Sequence, residues 1–180
     1  MPSPRYGMTV DTRRCVGCNA CVLGCKAENA LPESGYRDWI TTETRGRHPT
    51  LSMEIRSERC NHCSDPACVD ACPTGASHVA DGGTVLVASR KCTGCKACIA
   101  ACPYGARYVH PDGYVDKCTF CLHRLRRGDD PACASNCPTQ ALRFGDLDDP
   151  ESEVFRLRAS RDHHVLEPQL GLEPNVFFLE

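Results

Sequence analysis

An α+β fold of short strands, hairpins and short helices, built around cysteine-held centres in place of a large apolar core, is predicted by three observations. The chain has 180 residues, 16 of them Cys, a density that in a short secreted protein reads as a disulfide scaffold. Hydrophobic residues make up 41%, but that figure includes the cysteines and leaves only 5 Phe, 5 Tyr and 1 Trp as large aromatic core formers. A chain so poor in bulky apolar groups needs staples. The third observation is repetition: Cys-Pro-Thr-Gly-Ala (72–76), Cys-Pro-Tyr-Gly-Ala (102–106) and Cys-Pro-Thr-Gln-Ala (137–141) are versions of one phrase.

Composition also excludes functions. A formal charge of −2 provides no basic field, so no nucleic-acid partner is expected. No run of roughly 18 apolar residues exists, so no direct membrane span is expected. Met1-Pro-Ser-Pro-Arg-Tyr-Gly lacks the apolar stretch of a signal peptide. Arg13-Arg14 is not read as a twin-arginine signal, because Cys15 follows it in place of an apolar run.

Along the chain, the first cysteine quartet is Cys15, Cys18, Cys21 and Cys25, followed by Lys26 where the later quartets have proline. A long first loop carrying Trp39 follows, and Trp39 is read as a packing or interface anchor ahead of an electron relay. Residues 51–56 alternate and predict a strand leading into the second quartet, Cys60, Cys63, Cys68 and Cys72. Ser77–Ala80 and Thr84–Val87 flank Asp81-Gly82-Gly83, which predicts a hairpin. The third quartet is Cys92, Cys95, Cys98 and Cys102. Ala106–Val109 and Tyr114-Val115 then flank Pro111-Asp112-Gly113 as a second hairpin, before the fourth quartet, Cys118, Cys121, Cys133 and Cys137. Short helices are expected around each fourth cysteine. Asp149-Pro150-Glu151 predicts a helix N-cap with Pro at the first position. Asn175–Leu179 reads as an apolar strand with little core of its own, suited to lie on a partner.

The quartets use every cysteine, in the spacings C-x2-C-x2-C-x3-C, C-x2-C-x4-C-x3-C-P, C-x2-C-x2-C-x3-C-P and C-x2-C-x11-C-x3-C-P. Three thiolates on a tight loop can cap three corners of an iron–sulfur cube. The fourth, past a turn fixed by Pro73, Pro103 or Pro138, points away and in bacterial ferredoxins ligates a second cluster. Four quartets therefore predict four [4Fe-4S] clusters and a ferredoxin-like unit repeated twice. Disulfides would predict no such repeated spacing. Zinc knuckles would leave the third and fourth cysteines of each quartet unexplained.

A basic residue precedes each quartet: Arg14, Arg59, Lys91 and Lys117. A cation there offsets the negative cluster and raises its potential, whereas the bland reading is a solvated strand end. His62 is read as packing on a loop or facing a partner ahead of tuning a cluster by hydrogen bonding. His123 and the His163-His164 pair read as surface residues, since sixteen thiolates already fill the sites. Four quartets allow three pairings. The gaps are 34 residues (26–59), 19 (73–91) and 15 (103–117), which favour second-with-third slightly and settle none of the pairings.

The quartet order, Cys-Asn-His-Cys (60–63), Cys-Pro-Tyr-Gly-Ala-Arg-Tyr (102–108) and Lys-Cys-Thr-Phe-Cys (117–121) resemble the four-cluster electron-transfer subunits of molybdopterin oxidoreductases, above all those of polysulfide reductase. The dimethyl sulfoxide and tetrathionate reductase subunits are also similar. The resemblance runs from about Arg5 to 144–152, and more weakly to the tail. It implies nested pairing: Cys15, Cys18, Cys21 and Cys137 on cluster one; Cys25, Cys118, Cys121 and Cys133 on cluster two; Cys60, Cys63, Cys68 and Cys102 on cluster three; Cys72, Cys92, Cys95 and Cys98 on cluster four. Some relatives replace a third-quartet ligand and hold a three-iron cluster; Cys95 and Cys98 are kept here, so four cubanes are expected.

The implied organisation is an outer ferredoxin-like unit (1–50 plus 114–148), an inner one (51–113) and a C-terminal extension (149–180) docking on a partner. The implied partners are a molybdopterin catalytic subunit at the cluster-one end and an integral-membrane quinone-binding subunit at the cluster-four end. Electrons would normally run from quinol to substrate, and in some members the reverse. No catalytic constellation stands out, so the chain is read as a wire without a catalytic site. The alternatives are a subunit of a hydrogenase- or formate-linked complex, a free polyferredoxin-type carrier and a zinc-binding scaffold. The expected location is the periplasmic side of the cytoplasmic membrane, reached by folded export with a signal-bearing partner; the cytoplasmic face is the alternative.

Overall fold

The computed structural model describes residues 4–180, so the Met1-Pro2-Ser3 part of the N-terminal reading lies outside the described residues. The chain runs β1 (Tyr6–Asp11), α1 (Ala20–Glu28), β2 (Asp38–Arg47), β3 (Thr50–Arg59), α2 (Ala67–Asp70), β4 (Ser77–Ala80), β5 (Thr84–Val87), α3 (Ala97–Ala100), β6 (Tyr108–Val109), β7 (Val115–Asp116), α4 (Leu122–Leu125), α5 (Ala132–Ser135), β8 (Leu142–Asp146), α6 (Glu153–Ser160), β9 (His163–His164) and β10 (Val176–Leu179). Mixed short strands and helices bear out the α+β class.

One sheet organises the molecule, in the order β8-β1-β10-β9. β1 pairs antiparallel with β8, Met8 opposite Phe144, and parallel with β10, Met8 opposite Val176. Strands buried on both faces read as continuous apolar runs, and β10 is one: Val176, Phe177, Phe178 and Leu179 are all buried. Successive side chains point to opposite faces. Phe178 joins Met8, Val10, Phe120 and Leu142 in the main core, while Phe177 meets Leu147 and Val154 beneath α6. The tail therefore completes the chain's own sheet and is not held out for a partner. The sequence misled because the partner strand β1 lies at the far end of the chain.

Local expectations fare unevenly. The 77–87 hairpin forms as read, with Ser77 opposite Val87 and a turn over Asp81–Gly83. The second hairpin is shorter and shifted, with Tyr108 opposite Asp116. The strand over 51–56 extends to Thr50–Arg59 and pairs along its whole length with β2 inside the supposed loop. There Trp39 packs against the main core as an anchor. Helices α2, α3 and α5 carry the third cysteines, Cys68, Cys98 and Cys133, and end before the fourth. Only Cys25 lies within its helix. Asp149-Pro150-Glu151 is not the α6 cap: Ser152 occupies that position. Asp149 instead closes a preceding turn, its Oδ1 accepting from the Glu151 N–H at 2.9 Å and its carbonyl from the Ser152 N–H at 3.0 Å.

Candidate metal centres

Each C-x-x-C loop must curl back on itself so that both sulfurs face one point. The residue before its second cysteine does this with positive φ: Gly17 at 66°, His62 at 44°, Gly94 at 67° and Phe120 at 50°. Glycine adopts this conformation freely, whereas other residues are strained by roughly 1–2 kcal/mol. His62 and Phe120 offset that strain together. Their rings stack at 3.7 Å between centroids, both fully buried, and His62 Nδ1 accepts the Val85 N–H at 3.1 Å. Burial drives the His62 pKa well below its ordinary value, and the ring packs between two cysteine loops with its Nε2 buried and without a hydrogen-bond partner among the described residues.

Glycine is obligatory at position 94. A Cβ there would lie 2.4 Å from the Gly113 carbonyl oxygen, whereas one on Gly105, at φ 61°, meets nothing within 4 Å. Gly94→Ala is therefore expected to deplete iron from the anaerobically purified chain. Gly105→Ala carries only the φ strain and is expected to keep full iron. Equal iron contents would contradict the steric account.

All sixteen cysteines are free thiols. Cys15, Cys18, Cys21 and Cys137 line one cavity. Cys25, Cys118, Cys121 and Cys133 line a second. Cys60, Cys63, Cys68 and Cys102 line a third. Of the remaining four, Cys98 is buried, Cys72 and Cys92 are half-buried and Cys95 is exposed. Every thiol of the second set is buried, and Cys18 and Cys95 are the two exposed cysteines.

Burial shapes the thiol chemistry. It pushes Cys21 and Cys118 up to about 11 and Cys63 up to about 12, and it raises Cys25 and Cys133 as well. Metal ligands must be thiolates, so loading these sites expels protons. Two cysteines go the other way: the Ser77 N–H, 3.3 Å from its sulfur, brings Cys72 down to about 7, and at Cys137 burial is outweighed by backbone N–H donors that lower the thiol. Similar backbone donors reach Cys92 from Val115 at 3.3 Å and Cys118 from Phe120 at 3.4 Å.

The four basic residues ahead of the quartets divide into two kinds. Arg14 and Lys91 are exposed, as the bland reading has it. Arg59 and Lys117 are only 2% and 1% exposed. Arg59 Nη1 lies 3.4 Å from Cys133 Sγ and Nη2 lies 3.3 Å from Asp38 Oδ1. Lys117 Nζ donates to the carbonyls of Cys118, at 2.6 Å, and Val85. His123 is exposed and contacts Glu28 at 2.7 Å; His163 is exposed and His164 half-buried beside Glu180.

Sequence reasoning missed Arg107, whose Nη2 is 2.7 Å from Cys68 Sγ. It does not precede a quartet; its signal is its place directly after a Cys-Pro-x-Gly-Ala phrase, where the other repeats carry Ser77 and Leu142. Asn29 was also missed, and its amide points at Cys25 and Cys121 sulfurs from 3.7 and 3.9 Å. These residues fit iron–sulfur clusters. Four thiols surround each of three spaces, and Arg59 Nε, Arg107 Nε and Arg107 Nη1 are buried with no hydrogen-bond partner among the described residues.

Two models of a 4Fe-4S dicluster domain match the sequence, one over residues 51–147 and one over 14–76, which defines it as a 4Fe-4S protein. It is 43% identical to a polysulfide reductase chain of Wolinella succinogenes, over 97% of this sequence and 94% of that one. It is 39% identical to a tetrathionate reductase subunit of Salmonella typhimurium, over 99% and 73%. To a putative dimethyl sulfoxide reductase iron-sulfur subunit of Halobacterium salinarum it is 37% identical, over 97% and 78%. The protein belongs to the iron–sulfur electron-transfer subunits of molybdopterin oxidoreductases, and it carries electrons without catalysing at a site of its own.

Proposed function

We propose that the chain holds four [4Fe-4S] clusters, with ligands shared between the first and fourth quartets and between the second and third. The observation that carries this reading is that each of the three cavities is lined by four thiols, and that each combines three cysteines of one quartet with one of another. Cys72, Cys92, Cys95 and Cys98 then form the fourth set. Each cluster, when bound, takes up and releases one electron.

The residues do the rest. The thiolates fix the positions, backbone N–H groups and Asn29 are aimed at sulfurs, and the buried second set shields the middle of the path from water. Exposed Cys18 and Cys95 belong to the first and fourth sets, so the two ends are open to partners. In this reading the first end meets a molybdopterin catalytic subunit and the fourth a quinone-linked membrane subunit. No helix among the described residues is long and apolar enough to cross a membrane, which leaves the span to the partner. The complex sits on the periplasmic side, its iron–sulfur subunit exported folded; protease accessibility in intact spheroplasts tests this.

Anaerobic analysis of the fresh protein is expected to give about sixteen iron and sixteen sulfide per chain, from sixteen assigned thiolates. Zinc as the dominant metal, or disulfides, would overturn the reading. Co-purification with a larger partner is expected, and elution as a lone monomer would point to a free carrier.

A further inference from the structure

Two buried cations have no carboxylate within ion-pair distance among the described residues. Lys117 is 1% exposed and Arg107 is 5% exposed, and neither takes part in a salt bridge. A buried charge left without a counter-charge is strongly unfavourable. Arg59 shows the ordinary solution, its guanidinium paired with Asp38 at 3.3 Å. Among the described residues Arg107 instead meets the Cys68 sulfur and the Ser77 hydroxyl, and Lys117 meets the Val85 and Cys118 carbonyls.

Their positions are not arbitrary. Arg107 Nη2 lies 2.7 Å from Cys68 Sγ, in the third set, and 2.8 Å from Ser77 Oγ. The Ser77 N–H reaches Cys72 Sγ, in the fourth set, at 3.3 Å, and the Arg107 charge also acts on Cys98 of that set. Its Nε and Nη1 are buried and without hydrogen-bond partners among the described residues. Lys117 donates to the Cys118 carbonyl, in the second set, and to the Val85 carbonyl, and Val85 lines the cavity of the third set. Each cation thus stands at a junction between two successive ligand sets.

We propose that Lys117 and Arg107 are shared counter-charges at the second-to-third and third-to-fourth junctions, each raising the reduction potentials of the clusters on both sides together. The proposal rests on the four-cluster reading above. Raising both neighbours in step favours reduction at each junction without opening a potential step across it. The first-to-second junction lacks this net charge, because Asp38 compensates Arg59. These are positioning residues: they touch ligands, not a reacting substrate.

The test is an anaerobic dithionite titration of the full complex, followed by electron paramagnetic resonance, on Arg107→Gln, Lys117→Gln and the charge-keeping Arg107→Lys. Arg107→Gln is expected to make two of the four potentials more negative by at least tenfold in the redox equilibrium constant, about 59 mV for a one-electron couple. Lys117→Gln is expected to shift two as well, one of them in common with Arg107→Gln, and Arg107→Lys to restore most of the shift. If Arg107→Gln does not assemble, Ser77→Asp sets a carboxylate against the retained arginine and is expected to shift the same pair in the same direction. Unmoved potentials, or one cluster moved alone, in a variant retaining sixteen irons would overturn the proposal while leaving the four-cluster reading intact. Fewer than sixteen irons in the unmodified chain would instead overturn that reading.

Discussion

Truncation before Asn175 is expected to abolish accumulation of folded, cluster-loaded protein. The deletion removes β10, whose Val176, Phe177, Phe178 and Leu179 are buried and whose backbone joins β1 to β9. Burying a large apolar side chain contributes about 1.5–3 kcal/mol, an upper figure because unfolded chains are already partly collapsed. Four such residues approach the roughly 5–15 kcal/mol that stabilises a whole domain. The loss also uncovers β1, whose strand leads directly to Cys15. Soluble yield and iron content check the outcome. A truncated chain with native iron would show that the clusters alone hold the fold.

Cys121→Ala is expected to reduce quinol-driven turnover of the assembled complex to background. Cys121 is buried at the start of α4 and lines the second cavity with Cys25, Cys118 and Cys133. On a linear path, removing a middle site leaves no detour. Turnover with a small artificial donor that reaches the catalytic subunit directly should persist. Because clusters serve as core, assembly must first be verified by co-purification. An assembled complex that lacked this cluster yet used quinol at the normal rate would show that the path is not linear.

The metal chemistry was largely legible in the sequence because it depends on local spacing. Cys-x-x-Cys loops and the Cys-Pro-x-Gly-Ala phrases are short-range instructions, and the hairpin over 77–87 follows from its own turn residues. The central sheet was not legible, since pairing Met8 with Val176 is a decision made between the two ends of the chain. β2 escaped notice because its outer residues, Thr42 to Arg47, are polar and lie on an exposed hairpin arm. Of the four cations placed before quartets, Arg59 and Lys117 are buried whereas Arg14 and Lys91 are exposed. Burial is set by what packs over a residue, which neighbouring letters do not reveal. For the same reason the stacking of the His62 ring on Phe120 could not be read from the letters around it.

The central claim, that four clusters are held by ligands shared between distant quartets, is tested most directly by locating iron relative to sulfur in the cluster-loaded chain. Anomalous diffraction at the iron edge from anaerobic crystals is expected to show four cubanes. The Cys137 thiolate should be bonded to the cube that Cys15, Cys18 and Cys21 also hold, and Cys25 to the cube held by Cys118, Cys121 and Cys133. Cys137 bonded instead to the cube of Cys118 and Cys121, or Cys72 or Cys102 found on the first-quartet cube, would contradict the shared-ligand account.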